Sequence, residues 1–326
     1  MLADVFAPVT PQLEEVNRAL VASLRPEDMT SPARTLLTYV LGSRGKQLRA
    51  ALVLIPALGE ERRTDNNARR AIQVGTAAEL IHLATLLHDD VLDEAKERRG
   101  RPAPAARWGS KASILAGDYF FARAFSLLAK INSPPILNLF AAAIASTCAG
   151  EIEEHLEAYK LETSRENYLE RIGKKTASLF AACARAGGML AGRDRREQAA
   201  LESYGYNLGV AFQLTDDLLD IIGDPDQLGK PVGQDLLQGV YTLPVLAALA
   251  EPATGSCLRQ LLVRGVDRDN MEEVRALVAG SRGREETKEL ALEYRDRALG
   301  ELQALPPGPV RDNLAAIAAF VVERIF

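Results

Sequence analysis

The sequence predicts an all-α, multi-helix bundle, and three observations lead to this prediction. Alanine and leucine dominate the 326 residues, and aromatic residues make up only 6% of them. Apolar residues recur at helical spacing, as in Leu36, Leu37, Val40 and Leu41. Segments with the alternating pattern of a half-buried strand are hard to find. We therefore predict a single all-helical domain over residues 1–326.

Turn residues set the boundaries of the predicted helices. Pro32 directly after Ser31 is typical of a helix start, and the segment "NSPP" at 132–135 ends one helix and begins another. Shorter helices follow Pro244, and the last one runs to Phe326. A stretch rich in Gly, Asp and Pro separates two helical regions, and loops of this size are often functional. The predicted long helices span 31–55, 66–90, 110–131, 134–161, 164–190 and 194–223, and the loop spans 223–241.

Composition excludes several classes of protein. The formal net charge of -5 gives no indication of nucleic-acid binding, which usually shows a basic face or tail. The three cysteines are far apart, so we expect neither a disulfide framework nor a structural zinc site, and we expect all three to be buried. The amino terminus lacks the features of a signal peptide. No apolar run reaches the roughly 18 residues of a transmembrane segment. We expect a cytoplasmic protein.

An Asp-rich helix end is the first candidate functional feature. Asp89, Asp90 and Asp93 close the apolar segment "AAELIHLATLLHDDVLD". Asp89 and Asp93 are four residues apart, so they project from one face of the helix. Taken alone, a solvated helix end explains the cluster equally well.

A second cluster of the same form changes that balance. Asp216, Asp217 and Asp220 again lie at the carboxyl-terminal end of an apolar helix. The helix dipole disfavours carboxylates at that end, and like charges repel one another. A hard divalent cation would remove both costs, and carboxylates with open positions suit Mg²⁺, which usually bridges to phosphate oxygens. Two such clusters predict a magnesium–diphosphate site.

Basic and polar side chains accompany both clusters, as binding of a phosphate-rich substrate requires. His82 lies two turns before Asp89 on the same helix face, and Lys46 and Arg49 are three residues apart on one predicted helix face. Each has a simpler explanation, since the cations could be exposed helix charges and His82 a buried core histidine. The set as a whole favours substrate binding. Its members are Lys46, Arg49, His82, Arg98, Arg99, Lys175, Thr176, Gln213 and Lys230.

These motifs resemble those of the trans-isoprenyl diphosphate synthase (polyprenyl synthetase) family over most of the chain. The first Asp-rich motif is matched by "LLHDDVLD" followed by "RRGRP", and the second by "QLTDDLLDIIGD" followed by "LGKPVGQDLLQG". The segment "GKQLR" at 45–49 resembles the motif that holds isopentenyl diphosphate. The order and spacing of these motifs are much more specific than a single DDxxD.

The resemblance implies an all-α isoprenoid-synthase fold around a central cavity and a Mg²⁺-dependent prenyltransferase. It implies about three Mg²⁺ ions around an allylic diphosphate. The metal ligands would be Asp89, Asp93 and Asp216, with Asp90, Asp217 and Asp220 outside the direct ligand set. The allylic diphosphate would also contact Arg98, Lys175, Thr176, Gln213 and Lys230. Isopentenyl diphosphate would occupy a metal-free cationic pocket of Lys46, Arg49, His82 and Arg99.

Product length is a further expectation from the resemblance. In this family the growing tail passes beneath the first motif, where the residues about one turn before Asp89 form the floor. These are Ala84 and Thr85, which are small enough to let the tail pass. We therefore favour a medium- or long-chain product, from hexaprenyl to decaprenyl, of a cytoplasmic homodimer. A short-chain geranylgeranyl or farnesyl synthase is the alternative.

One departure from the family pattern leaves the quaternary structure open. Val240 stands where members often have a lysine that contacts diphosphate, and catalytic subunits of two-component heptaprenyl synthases are similar there. A partner subunit is therefore a second possibility. A terpene cyclase would not need the Lys46–Arg49–His82 pocket, and a non-catalytic subunit tends to lose one Asp cluster. Both are disfavoured.

Overall fold

The all-α class is confirmed by a computed structural model that describes residues 6–24, 29–42, 45–59, 64–224 and 232–324. Within these ranges the only strands are β1 (Glu97–Arg98) and β2 (Arg101–Pro102), which pair antiparallel with Arg98 opposite Arg101. Every other regular element in the described ranges is helical.

The helices follow one another with short connections. In chain order they are α1 (Thr10–Ala22), α2 (Ser31–Leu41), α3 (Leu48–Ala57), α4 (Asp65–Leu92), α5 (Pro104–Trp108), α6 (Ser110–Lys130), α7 (Pro134–Glu157), α8 (Arg165–Ile172), α9 (Ser178–Leu190), α10 (Arg195–Ile222), α11 (Gln234–Leu237), α12 (Leu243–Ala250), α13 (Gly255–Arg264), α14 (Met271–Ala279), α15 (Arg282–Glu301) and α16 (Pro309–Glu323). A π-turn, Gly173–Ala177, joins α8 to α9, and 3₁₀ turns lie at Ala7–Val9 and Leu302–Ala304.

The chain packs as two compact units. Unit 1 comprises Met1–Ile144, Leu179–Gly205 and Leu302–Ala316. Unit 2 comprises Ala145–Ser178, Tyr206–Glu301 and Ile317–Phe326. The single domain predicted over residues 1–326 stays a prediction.

Helix α4 is the central element of unit 1, and small residues let its neighbours approach closely. It packs against α3 and α6. A Cβ at Gly117 of α6 would collide with the ring of His88 and would lie 3.2 Å from the carbonyl oxygen of Ala84. Leu80 and Ile81 of α4 are almost completely buried, and each such side chain contributes about 1.5–3 kcal/mol to folding. This packing fixes the helix that ends at the first Asp cluster.

Unit 2 has its own apolar core, formed by the end of α10 and the helices that follow it. Its largest contributions come from Val245, Leu258, Val274 and Val278, which are all completely buried. Gly283 lets α15 approach α12 closely, because a Cβ at this position would collide with the carbonyl group of Pro244. The core anchors the end of α10, which carries the second Asp cluster.

Two predicted helices are interrupted, and both interruptions lie at candidate site residues. The helix predicted over 31–55 divides into α2 and α3, because Gln47 adopts a left-handed backbone with φ of 53°. The Gln47 amide exchanges two hydrogen bonds with Asn17, at 2.9 and 3.2 Å. Lys46 therefore precedes α3, and the expectation that Lys46 and Arg49 share a helix face was wrong.

The second interruption is the π-turn inside the helix predicted over 164–190. It holds Lys174, Lys175 and Thr176 within one widened turn. Single π-turns inside helices occur frequently at functional sites, because the extra residue shifts the direction of the side chains that follow.

Helices α6 and α7 are long and apolar enough to cross a membrane, judged by length and composition alone. The expectation that no apolar stretch reaches that length does not hold by this measure. Core helices of proteins that do not cross membranes satisfy the same criterion, so the finding is weak evidence for a span. Large apolar side chains are nonetheless exposed on these helices, including Leu115 at 67% and Leu156 at 66%.

The environments of the cysteines give a prediction that tests this packing. Cys183 is buried, as expected, but Cys148 and Cys257 are exposed, so the expectation that all three are buried was wrong. Burial raises the pKa of the Cys183 thiol far above its usual range, which suppresses the reactive thiolate. We expect iodoacetamide to label Cys257 in the native protein and Cys183 only after unfolding. Peptide mass spectrometry measures both sites, and rapid native labelling of Cys183 would contradict the fold around it.

Candidate functional site

The three carboxylates of the first cluster have different environments at the end of α4. Asp90 is 1% exposed, and its Oδ1 accepts a hydrogen bond from Arg98 Nε at 2.5 Å. Asp89 is half-buried and Asp93, which caps the helix, is exposed. Asp89 and Asp93 therefore remain on the accessible face, and Asp90 joins the helix to the strand that carries Arg98.

The hairpin β1–β2 separates the two adjacent arginines. Arg99 and Gly100 form its turn, with φ of 54° and 69°, the combination that a tight type I′ hairpin requires. Arg98 lies on β1 and pairs with Asp90, whereas Arg99 reaches Gly45. A Cβ at Gly45 would lie only 2.5 Å from Arg99 Nη2. The sequence letters "RRG" thus direct two guanidinium groups to two different places.

The predicted cationic pocket lies where Arg99 approaches Gly45, shortly before the start of α3. Arg49 lies on α3, with its guanidinium carbon 4.9 Å from the centre of the Phe180 ring. Beneath it, the buried Glu79 accepts a hydrogen bond from the backbone N–H of Ala50 at 3.0 Å. Burial raises the pKa of Glu79, and the positive charges of Arg49 and Arg99 oppose that rise. Glu79 thus anchors the first turn of α3 and balances part of the pocket's charge.

His82 lies in the same electrostatic environment. Burial lowers its pKa well below the ordinary 6.5, and the positive charges of Arg49, Arg99 and Arg98 lower it further. The imidazole is therefore neutral near pH 7, so it can offer one N–H donor without adding a cation. The structure brings Arg49, His82 and Arg99 together, as the sequence predicts. Arg99 also lies against Gly45, the residue that precedes Lys46.

Ala84 and Thr85, the predicted chain-length residues, differ in accessibility. Ala84 has no exposed surface and packs against α6 at Gly117. Thr85 is half-buried, and its hydroxyl donates to the backbone carbonyl of His82 at 2.9 Å.

The second cluster contains a chain of short hydrogen bonds in unit 2. Thr176 Oγ1 donates to Gln213 Oε1 at 2.6 Å, and Gln213 Nε2 donates to Asp217 Oδ1 at 2.7 Å. The Tyr168 hydroxyl donates to Asp217 Oδ2 at 2.5 Å. Burial raises the pKa of Asp217 to about 7, although the bonds from Tyr168 and Gln213 favour its charged form. Both carboxylate oxygens of Asp217 therefore already accept a hydrogen bond from the protein.

The other two aspartates of this cluster also have identified partners. Asp220 accepts the backbone N–H groups of Gln234 and Asp235 at 3.4 and 3.3 Å, so it caps α11, which follows the Gly-rich loop. Asp216 Oδ1 lies 2.7 Å from Nη1 of Arg324, near the end of α16. The Asp216 carboxylate is one-quarter exposed, so it is the accessible member of the cluster.

Lys175 lies in the π-turn and is held by carboxylates of α7. Its Nζ lies 2.6 Å from Glu154 and 3.1 Å from Glu151. The two chain segments approach so closely that a Cβ at Gly150 would lie 2.7 Å from the backbone nitrogen of Lys175. Lys174 pairs outward with Glu153 and Glu170 instead. Lys175 also interacts electrostatically with the buried Asp235.

The accessible carboxylates of the two clusters suit Mg²⁺, but within the described part of the chain neither cluster offers a complete set of ligands. Asp89, Asp93 and Asp216 are accessible oxygen donors, the ligand type that Mg²⁺ prefers when it keeps waters and bridges to phosphate. No group of three or more His, Cys, Asp or Glu side chains in the described ranges is close enough to hold a metal ion. Phosphate oxygens would have to complete the ligands of a metal ion held at either cluster. Lys230 lies outside the described residues.

Several residues at these two places were not found from the sequence. Glu79 was detectable in principle, because it is a charged residue inside an apolar helical run and lies three residues before His82. Asp235 is a second residue that was not found from the sequence. Burial and the carboxylates of Asp220 and Asp217 raise its pKa well above the usual range. Tyr168 and Arg324 gave no signal, because an aromatic residue in a helix and a basic residue near a helix end are both common.

Comparisons with known proteins agree with these features. The sequence model of the Polyprenyl synthetase family matches residues 31–279. A heptaprenyl diphosphate synthase component 2 of Bacillus subtilis (strain 168) is 35% identical over 88% of this chain and 81% of its own length. An octaprenyl diphosphate synthase of Escherichia coli (strain K12) is 36% identical over 88% of each chain. A crystal structure of a polyprenyl synthase from Caulobacter crescentus CB15, complexed with calcium and isoprenyl diphosphate, superposes with a TM-score of 0.91 at 34% identity, covering 99% of this chain and 97% of that one.

The lowered pKa of His82 predicts a pH dependence of stability. Below about pH 6.5 the unfolded chain binds a proton at this residue, whereas the folded protein does not until the pH reaches the lower folded pKa. The free energy of unfolding should therefore fall as the pH drops from about 6.5, by up to about 1.4 kcal/mol per pH unit from this residue alone. His82→Gln should remove that contribution.

Urea unfolding of wild type and His82→Gln between about pH 5 and pH 7 measures the difference in slope. The same change at His155, an exposed histidine of α7, is the control for the substitution itself. Parallel curves for wild type and His82→Gln would show that His82 is protonated equally in both states.

Proposed function

Because the chain belongs to the polyprenyl synthetase family and is a trans-prenyltransferase, we propose that it condenses isopentenyl diphosphate with an allylic diphosphate into a medium- or long-chain polyprenyl diphosphate. The observation that carries this proposal is the cationic pocket of unit 1. Arg49, Arg99 and a neutral His82 lie close enough there to interact electrostatically. A second diphosphate needs such a metal-free site, and a terpene cyclase does not.

The pocket's chemistry suits isopentenyl diphosphate. Arg49 and Arg99 offer planar guanidinium donors that bind phosphate oxygens in pairs. His82 adds a neutral N–H donor, and Lys46 adds a point charge beside Gly45. The buried Glu79 keeps α3 in register, so Arg49 is positioned before substrate arrives.

The allylic diphosphate is bound by a different set of groups in this proposal. Asp89, Asp93 and Asp216 would hold about three Mg²⁺ ions, which when bound neutralise charge on the leaving diphosphate. Arg98, Lys175 and Lys230 add positive charge. Thr176 and Gln213 orient oxygen dipoles toward the allylic carbon, where positive charge develops.

The reaction needs no strong protein base. The allylic carbon–oxygen bond breaks, and the double bond of isopentenyl diphosphate forms the new carbon–carbon bond. A proton then leaves the adjacent carbon to the released diphosphate. The protein's task is to align the two substrates and to exclude water from the cation.

Thr85 is the better candidate of the two for setting product length. It is partly exposed one turn before Asp89, whereas Ala84 is enclosed between α4 and α6. A methyl-sized side chain at this position lets a growing tail pass, which favours a medium- or long-chain product over farnesyl or geranylgeranyl diphosphate.

A cytoplasmic homodimer is the assembly we favour. Ile114 and Leu115 on α6 are 41% and 67% exposed, and a second copy of the chain would remove this apolar surface from water. The relative from Bacillus subtilis is named as component 2 of a synthase, which supports a partner subunit as the second candidate assembly.

The decisive experiment incubates the purified chain alone with Mg²⁺, farnesyl diphosphate and labelled isopentenyl diphosphate. We expect elongated products on reversed-phase chromatography. Asp89→Asn and Asp216→Asn should each lower kcat by about a thousandfold, because each removes an anionic metal ligand. Asp312→Asn, at an exposed aspartate in the first turn of α16, is the matched control and should leave the rate unchanged.

Three outcomes would contradict parts of the proposal. Wild-type protein that gives no product alone or with candidate partners would exclude the prenyltransferase function. Activity that survives Asp89→Asn within about tenfold would exclude Asp89 as a metal ligand. Product that forms only with a partner chain would establish the two-component alternative.

Enlarging Thr85 should shorten the product. Thr85→Phe would block the passage one turn before Asp89, so chromatography should show products at least one isoprene unit shorter at a similar total rate. Ala84→Phe serves as the comparison, because it should overpack the contact with Gly117 and lower the melting temperature by several degrees. Unchanged product length in a folded Thr85→Phe variant would locate the floor elsewhere.

A further inference from the structure

We propose that Tyr168 is a positioning residue that fixes the polarity of Thr176 and Gln213 through Asp217. The inference rests on the proposed function, in which Thr176 and Gln213 face the allylic carbon. It adds a residue, in α8, that does not contact the substrate itself.

The first step is the geometry of the chain of hydrogen bonds. Tyr168 is completely buried, and its hydroxyl donates to one oxygen of Asp217 at 2.5 Å. The other oxygen accepts from Gln213 Nε2 at 2.7 Å, and Gln213 Oε1 accepts from Thr176 at 2.6 Å. All three bonds are short, and Asp217 is only 2% exposed, so water does not compete for it.

The second step is that this order of donors leaves one arrangement for the amide. In its charged form, which the bonds from Tyr168 and Gln213 favour, Asp217 only accepts, so the Gln213 NH₂ faces Asp217 and the Gln213 carbonyl faces Thr176. The Thr176 hydroxyl must then use its single hydrogen on Gln213. Any third group that approaches Thr176 Oγ1 meets lone pairs alone. That polarity is suited to a developing carbocation and unsuited to a diphosphate oxygen.

The third step concerns what holds Asp217 in place. Two hydrogen bonds fix the plane of the Asp217 carboxylate, one from Gln213 and one from Tyr168. Only the second is independent of the amide that Asp217 positions. The phenol keeps its proton, because burial and the charge of Asp217 raise the pKa of Tyr168 well above its usual range. Without Tyr168, the carboxylate could rotate about its side chain and release the amide.

The test uses Tyr168→Phe, which keeps the ring and removes only the hydroxyl. We expect kcat to fall about tenfold, as for a lost hydrogen bond to a charged group, with the KM for isopentenyl diphosphate unchanged. Tyr204→Phe is the matched control. Tyr204 is also completely buried, and its hydroxyl donates to the carbonyl of Leu314 at 2.7 Å. It should lower the melting temperature similarly and leave kcat intact.

A double-mutant cycle separates positioning from general structural support. In the Gln213→Ala background, Tyr168→Phe should lower kcat no further, because the group through which it acts is gone. Multiplicative losses, or a kcat within twofold of wild type for Tyr168→Phe, would overturn the proposal. An inactive wild-type protein would instead contradict the proposed function.

A second variant covers the case in which Tyr168→Phe does not fold. Tyr168→His keeps a ring N–H donor in a shorter side chain, which would reach Asp217 through a bridging water. A folded Tyr168→His variant should retain more kcat than Gln213→Ala, as circular dichroism and initial rates would show. Equal losses in these two variants would overturn the positioning role.

Discussion

An α-helix places consecutive residues about 100° apart around its axis, so the side chains of two adjacent aspartates leave the helix in different directions. In both clusters one member of the pair is buried and is hydrogen-bonded within the protein. Asp90 bonds to Arg98, and Asp217 bonds to Tyr168 and Gln213. The neighbouring Asp89 and Asp216 remain accessible. Burying an unpaired carboxylate would cost several kcal/mol. The hydrogen-bond partners of Asp90 and Asp217 therefore stabilise the helix ends that carry the accessible Asp89 and Asp216. The hairpin and the buried network supply these partners.

Two cations near the second Asp cluster, Lys175 and Arg324, already pair with carboxylates of the chain. Lys175 lies between Glu151 and Glu154, and Arg324 pairs with Asp216. A diphosphate with its metal ions would compete for the same groups, so binding exchanges one set of charge pairs for another. Such an exchange costs less than bringing unpaired charges out of water. The existing ion pairs also explain why these charged groups can be half-buried when no substrate is bound.

Periodicity in the sequence predicts most of the fold but not its interruptions. The long helix α4 and its Asp cluster follow directly from apolar spacing, and α10 does as well. The left-handed Gln47, the turn at Arg99 and the π-turn at Lys175 do not, because each depends on contacts with residues far away in the chain. Gln47 is held by Asn17, and the π-turn packs on Gly150. The types of the site residues were predictable from motif spacing, whereas their partners Glu79 and Tyr168 required the packed structure.

The contrast between Ala84 and Thr85 shows what burial adds to a motif. From sequence the two residues are equivalent, since both are small and both lie about one turn before Asp89. In the folded chain they differ by about 100° around α4. Ala84 meets the backbone of α6 through Gly117, so its small size serves helix packing. Thr85 is half-buried and its hydroxyl is bonded to the helix backbone, which makes it the more accessible of the two positions. Under the proposed function, product length would therefore depend on residue 85, whereas residue 84 contributes to helix packing.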